Sequence, residues 1–182
     1  MRKTLLLVDC QYDFIDGGNL AVAGSQVMMD ALADYISGLP AGYYEHIVMT
    51  ADFHPWGHCS FGEWPMHCVA HTHGAAIYDA VFQAAVAHDP ECVVLTKGTL
   101  KDRDEYSIFQ SQENGPKLLD MLEAWDSEQI DVCGICGDIC VLNTLKDMLE
   151  TPFGSKLHVL PEFSPSLDGG TALSQLISEH QL

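Results

Sequence analysis

Ile130-Asp131-Val132-Cys133-Gly134-Ile135 is a short apolar, β-branched-rich run. It leads through Cys136-Gly137-Asp138-Ile139 into Cys140–Leu149, where Val141, Leu142, Leu145, Met148 and Leu149 recur at helical spacing. A run that is apolar at nearly every position, instead of alternating, reads as a strand buried on both faces of a parallel sheet. The same kind of run stands at Thr4–Val8, His46–Thr50 and Cys92–Thr96, with a weaker one at Lys156–Leu160. Helical patterns lie between and after them, at Ser25–Ser37, Pro116–Trp125 and Leu167–His180. Strands alternating with helices predict an α/β fold: a doubly wound, mostly parallel sheet flanked by helices. A length of 182 residues suits one domain over 1–182.

The charge is lopsided, with 8 Lys and Arg against 26 Asp and Glu, a formal net charge of −18. Such a surface repels phosphate backbones and anionic lipid, so nucleic-acid and membrane partners are not expected, whereas a neutral or cationic small molecule is. The apolar run after Met1-Arg2-Lys3 stops at Asp9, short of the roughly 7–15 residues of a signal-peptide core. No stretch approaches the roughly 18 apolar residues of a membrane span. The seven cysteines are odd in number, which favours free thiols in a reducing compartment. A cytoplasmic protein is expected.

Open α/β sheets bind ligands at the carboxyl ends of their strands. Asp9 follows the first run, Asp52 and His54 the second, Lys97 the third, and Cys136 to Cys140 the fourth. An acid, a metal-type pair, a lysine and a cysteine thus share one edge. Asp138 is a good helix cap, and a Cys in the first turn feels the helix dipole and free N–H groups, which favour thiolate. The segment Ala51–Gly74 fits neither helix nor strand periodicity and holds five His. Its Asp52-Phe53-His54 places carboxylate and imidazole on one face of an extended chain, a donor set suited to zinc, iron or manganese. Spacing alone does not choose among His58, His67, His71 and His73 for a third ligand.

Five ordered segments resemble the nicotinamidase branch of the isochorismatase-like cysteine hydrolase superfamily. Val8-Asp9-Cys10-Gln11-Tyr12-Asp13-Phe14 is similar to its V-D-x-Q-x-D-F opening, and Asp52-Phe53-His54-Pro55-Trp56-Gly57-His58-Cys59-Ser60-Phe61 to its D-x-H-P-x-x-H-x-S-F loop. Trp64-Pro65-Met66-His67-Cys68-Val69 resembles its W-P-x-H-C-V. Lys97-Gly98 with Tyr106-Ser107-Ile108-Phe109 resembles K-G…Y-S-x-F, and Gly134 to Val141 resembles G-x-x-x-D-x-C-V. The chain departs from the usual A-T after Ile135, which is here Cys136-Gly137.

The resemblance implies a catalytic triad of Asp9, Lys97 and Cys140. It implies one divalent metal on Asp52, His54 and His67, zinc first, with iron or manganese also suited. His58 falls where some members place a further ligand and others a supporting group. Phe14, Trp64 and Tyr106 would wall the substrate pocket. A cis peptide before Cys136 would aim its N–H, with that of Cys140, at an oxyanion. The implied reaction is hydrolysis of nicotinamide to nicotinate and ammonia, with association into a homo-oligomer left open. Three rivals are a metal-independent amidase acting on a carbamoyl or ureido group, a flavodoxin-like flavin binder and a non-catalytic metal-binding module. The ligand set argues against the first, and Asp9 and Asp13, which would repel a phosphate, argue against the second.

Overall fold

The computed structural model describes residues 1–182. Five parallel strands, β1 (Lys3–Val8), β2 (His46–Asp52), β3 (Val93–Lys97), β4 (Gln129–Gly134) and β5 (Leu157–Val159), form one sheet in the order β3-β2-β1-β4-β5. β1 is central, pairing with β2 from Thr4↔His46 to Leu7↔Met49 and with β4 from Lys3↔Gln129 to Val8↔Gly134. The strand order reverses at β1, so the crevice expected at a topological switch point opens between the carboxyl ends of β1 and β4. The doubly wound parallel sheet is as the apolar runs predict, with strand ends moved by at most two residues.

Each strand is apolar on both sides because both sides are covered. Leu5 and Leu7 pack with Met29, Leu32 and Ile36 of α1 (Ser25–Gly38) and Val81 and Ala85 of α2 (Asp79–His88). Leu6 and Val8 point the other way, among Leu118 and Leu122 of α3 (Asn114–Ala124), Leu145 and Met148 of α4 (Leu142–Leu149), and Leu173 and Leu176 of α5 (Thr171–His180). The period of two along β1 thus divides its side chains between two cores. No helix is long and apolar enough to cross a membrane. At the amino-terminal end of β2, His46 stacks on Trp125, with ring centroids 4.0 Å apart and planes 13° from parallel.

Two helix readings are corrected. Cys140 lies in a wide π-type turn, Gly137–Val141, ahead of α4, not in the α-helix itself. The last helix starts at Thr171, because Gly169 and Gly170 take φ of 74° and 86° and end any helical path from Leu167. α2 escaped the sequence reading because Ala84 and Ala85 supply much of its buried face, too weak a signal for apolar periodicity.

Candidate active site

The carboxyl edge of the sheet gathers Asp9, Asp52, Lys97 and Cys140 in one buried knot. Lys97 ends β3 with only 1 % of its surface exposed. Its Nζ lies 2.6 Å from Asp52 Oδ1, 2.9 Å from Asp9 Oδ2 and 3.9 Å from Cys140 Sγ, and it donates to the Glu105 carbonyl at 3.1 Å. Asp9, Asp52 and Cys140 each bring a polar atom within 4.8 Å of the others. Asp9 turns back from β1 with φ of 48°, an uncommon backbone state for a residue other than glycine. Thr50 Oγ1 donates to Asp9 Oδ1 at 2.6 Å. Asp9 Oδ2 has no aligned hydrogen bond, only the Lys97 contact.

Electrostatics sets the resting state of this knot. Burial alone would strip the proton from Lys97, but Asp52 and Asp9 reverse that and hold its pKa well above the ordinary value. Burial raises the Asp9 carboxyl, against the pull of Lys97. Burial likewise pushes the Cys140 thiol well up; Lys97 opposes this and Asp9 and Asp52 reinforce it. Burial and the two carboxylates thus oppose the thiolate that a helix start favours, and Asp9 stands beside the thiol to accept its proton. Asp138 is not the helix cap expected. It sits inside the π-type turn, and its Oδ1 and Oδ2 accept the N–H groups of Leu167 and Asp168, each at 3.0 Å, instead of capping its own helix.

Beside the knot, Asp52, His54 and His67 also converge, with one donor atom from each within 4.8 Å of the others. A parallel bridge between His54 and Val69 closes the long loop, with His54 N–H bonded to the Cys68 carbonyl at 2.9 Å, and so sets His67 beside His54. His54 Nδ1 lies 2.9 Å from the Gly98 carbonyl and His67 Nδ1 lies 2.7 Å from the Pro65 carbonyl. A carbonyl only accepts, so both Nδ1 atoms carry hydrogen and both Nε2 atoms keep their lone pairs. His54 Nε2 is buried without a partner, 3.7 Å from Asp52 Oδ2. Burial lowers the pKa of His54 to about 4, so the ring is neutral at neutral pH. A buried orphan acceptor facing a carboxylate and a second imidazole fits a divalent metal ion. Gly98, with φ of 62°, admits the His54 ring where a Cβ would strike it.

The other histidines sort themselves by contacts. His58 has both nitrogens engaged, Nδ1 with Ser60 Oγ at 2.7 Å and Nε2 with the Arg103 carbonyl at 2.9 Å, and its ring stacks on His54 at 4.0 Å. One donor atom each from His54, His58 and Asp104 also lies within 4.8 Å of the others, so His58 adjoins the cluster with its Nε2 turned to the Arg103 carbonyl. His71 and His73 are exposed, against Phe53 and Tyr12.

A cavity adjoins both groups. Phe14, Trp64 and Tyr106 line it together with His67, Cys136 and Cys140. Trp64 Nε1 donates to the Tyr106 hydroxyl at 3.3 Å. The Ile135–Cys136 peptide is cis, and the Cys136 N–H donates no hydrogen bond within the protein. Leu20, Val22, Asp104 and Leu167, on loops without a periodic signal, and Ile139 of the π-type turn also line the cavity and were missed. Gln11 was quoted for its segment but not for its task. Its amide donates to the Asp52 carbonyl at 2.7 Å and accepts from the Asp52 N–H at 2.8 Å, clamping the end of β2.

Residues 3–162 match the isochorismatase domain. The chain is similar to the nicotinamidase/pyrazinamidase of Mycobacterium tuberculosis, 34% identical over 96% of this chain and 92% of that one. Among solved structures it is similar to the pyrazinamidase of Pyrococcus horikoshii in complex with zinc, with 26% identity, a TM-score of 0.80 and coverage of 100% and 95%. A second is the L. infantum protein in complex with nicotinate, with 27% identity, a TM-score of 0.81 and coverage of 100% and 90%.

Proposed function

The chain belongs to the isochorismatase domain family, and from its likeness to nicotinamidases we propose that it hydrolyses nicotinamide to nicotinate and ammonia through a thioester on Cys140. The observation that carries this reading is the contact of Lys97 with Asp9, Asp52 and the Cys140 sulfur in one buried site opening on an aromatic cavity.

Asp9 takes the proton of the Cys140 thiol as sulfur attacks the carboxamide carbon. Lys97 stabilises the carboxylate and sulfur through this transfer. The N–H groups of Cys136 and Cys140 hold the oxyanion, a contribution of about 10²–10³ in rate per donor. The tetrahedral adduct collapses, and Asp9 returns its proton to the departing ammonia. Water then attacks the thioester, Asp9 accepts a proton from it, and the C–S bond breaks to release nicotinate. The sulfur recovers its proton from Asp9. Phe14, Trp64 and Tyr106 hold the ring.

Asp52, His54 and His67 would hold one divalent metal, zinc by the mix of imidazole and carboxylate. Bound there, it would supply an open coordination position for the pyridine nitrogen. We place the functional unit in one domain over residues 1–182, and seven free cysteines favour the reducing cytoplasm.

Ammonia release from nicotinamide is the test, with Cys140→Ala and benzamide as controls. The variant should lose at least about 10⁴ in kcat while keeping its metal content. Benzamide has the same carboxamide but no ring nitrogen, and its kcat/KM should fall by about 10⁴ in the metal-loaded enzyme. An active Cys140→Ala variant would overturn the nucleophile, and equal rates on the two amides would overturn the nitrogen contact.

A further inference from the structure

Asp138 spends its carboxylate on a distant segment. Residues 164–170, which form neither helix nor strand, adjoin the cavity through Leu167. Leu167 lines that cavity while remaining 54% exposed. Three hydrogen bonds tie this segment to the turn that carries the nucleophile, and a fourth braces Asp138 from Cys136. Asp138 Oδ1 accepts from Leu167 N–H and Oδ2 from Asp168 N–H, each at 3.0 Å. Gly137 N–H donates to the Pro165 carbonyl at 2.8 Å. The Cys136 thiol, itself in the cavity wall, donates to Asp138 Oδ1 at 2.8 Å.

Ser164 is also held, buried and bonded to the Leu160 and Pro161 carbonyls, but the exposed stretch Leu167–Gly169 has little else to fix it. Behind it runs an open groove lined by Met28, Pro161, Ser164, Ser166, Gly170 and Leu173. Downstream, Asp168 is committed to α5, accepting from Gly170 N–H and Ala172 N–H at 2.8 Å each. Leu167 thus spans two anchors, bonded through its own N–H to Asp138 on the cavity side and followed by Asp168, which ties the chain to α5. Charge-assisted bonds from one carboxylate to two adjacent N–H groups fix direction as well as distance.

We propose that Asp138 is a positioning residue that holds Leu167 over the cavity as a wall for the substrate ring, so that ring affinity depends on a carboxylate that never touches the substrate. The inference rests on the nicotinamidase reading for the identity of the ring. Without the two bonds, the span relaxes toward the groove behind it and the ring loses an apolar face. A few apolar groups at a pocket wall are worth about tenfold in discrimination.

The test is a double-mutant cycle on Asp138→Ala and Leu167→Ala, read as steady-state kinetics with nicotinamide and as calorimetric binding of nicotinate. Each single variant should raise KM and weaken nicotinate binding by about tenfold, with kcat within threefold of wild type. The double variant should be no worse than either single one, because both remove the same wall. Asp138→Asn keeps one acceptor oxygen and should fall between. If Asp138→Ala fails to fold, the Asn variant carries the same cycle. Additive losses in the double variant would overturn the proposal, as would a fall in kcat with KM unchanged, which would place Asp138 in support of the nucleophile. Wild-type protein that binds nicotinate but releases no ammonia would overturn the proposed activity and leave the wall to be judged by affinity. Wild-type protein that does neither would overturn both.

Discussion

At the scale of single residues, the site is a set of conflicts between burial and charge settled by partners. Lys97 keeps its proton only because Asp9 and Asp52 face it. His54 has Asp52 Oδ2 no nearer than 3.7 Å, burial keeps its ring neutral, and that has a consequence for stability. In the unfolded chain its imidazole takes up a proton near pH 6.5, but in the fold only near 4. Between those values the unfolded chain binds more protons, so stability rises with pH and is lost as pH falls through that window. Asp9, with its pKa raised from 3.8, acts in the opposite sense at the acid end, so the His54 contribution is read by comparison with a variant. Metal-stripped wild type should lose about 2 kcal/mol more than His54→Asn between pH 7 and pH 5, measured by urea denaturation. Equal losses in both proteins would remove His54 as the cause.

At the scale of elements, the apolar runs made the strands legible because a strand covered on both faces has no polar side to hide. The long segment after Asp52 was legible as functional because it fits neither period, although its bridge between His54 and Val69 is a tertiary pairing that no local spacing specifies. Spacing leaves the third position open for that reason; the resemblance implies His67, which Pro65 and the bridge set beside His54. β4 pairs with β1 at Gly134↔Val8, where the Gly134 φ is 134° and a Cβ would overlap the Val8 backbone. Gly134→Ala should therefore separate the two strands that carry Asp9 and Cys140. A cost of roughly 3 kcal/mol corresponds to a Tm lower by about 6–12 °C, with activity lost in parallel. Gly38→Ala, at the end of α1 with open space around it, is the control and should leave Tm within about 2 °C. A normal Tm in Gly134→Ala would show that the strands tolerate the extra carbon.

At the scale of the whole molecule, the net charge of −18 was plain in the sequence and suits the release of an anionic product. What stayed hidden was long-range: Leu167 reaches the cavity across the end of β4, and Thr50 steadies Asp9 from the neighbouring strand. The distribution of the three tryptophans is another such property. Trp56 is 73% exposed, Trp125 stacks on His46 at the far edge of the sheet, and Trp64 stands in the cavity wall bonded to Tyr106. Each indole therefore emits from a different medium, and only one can sense a ring entering the cavity. The enzyme carries its own optical probe. Titration with nicotinate should quench a blue-shifted share of the emission in wild type, while Trp64→Phe should keep the signals of Trp56 and Trp125 and become blind to the ligand. A quench that survives in Trp64→Phe would put the ring against another wall, so occupancy of this cavity can be followed in real time without following the reaction at all.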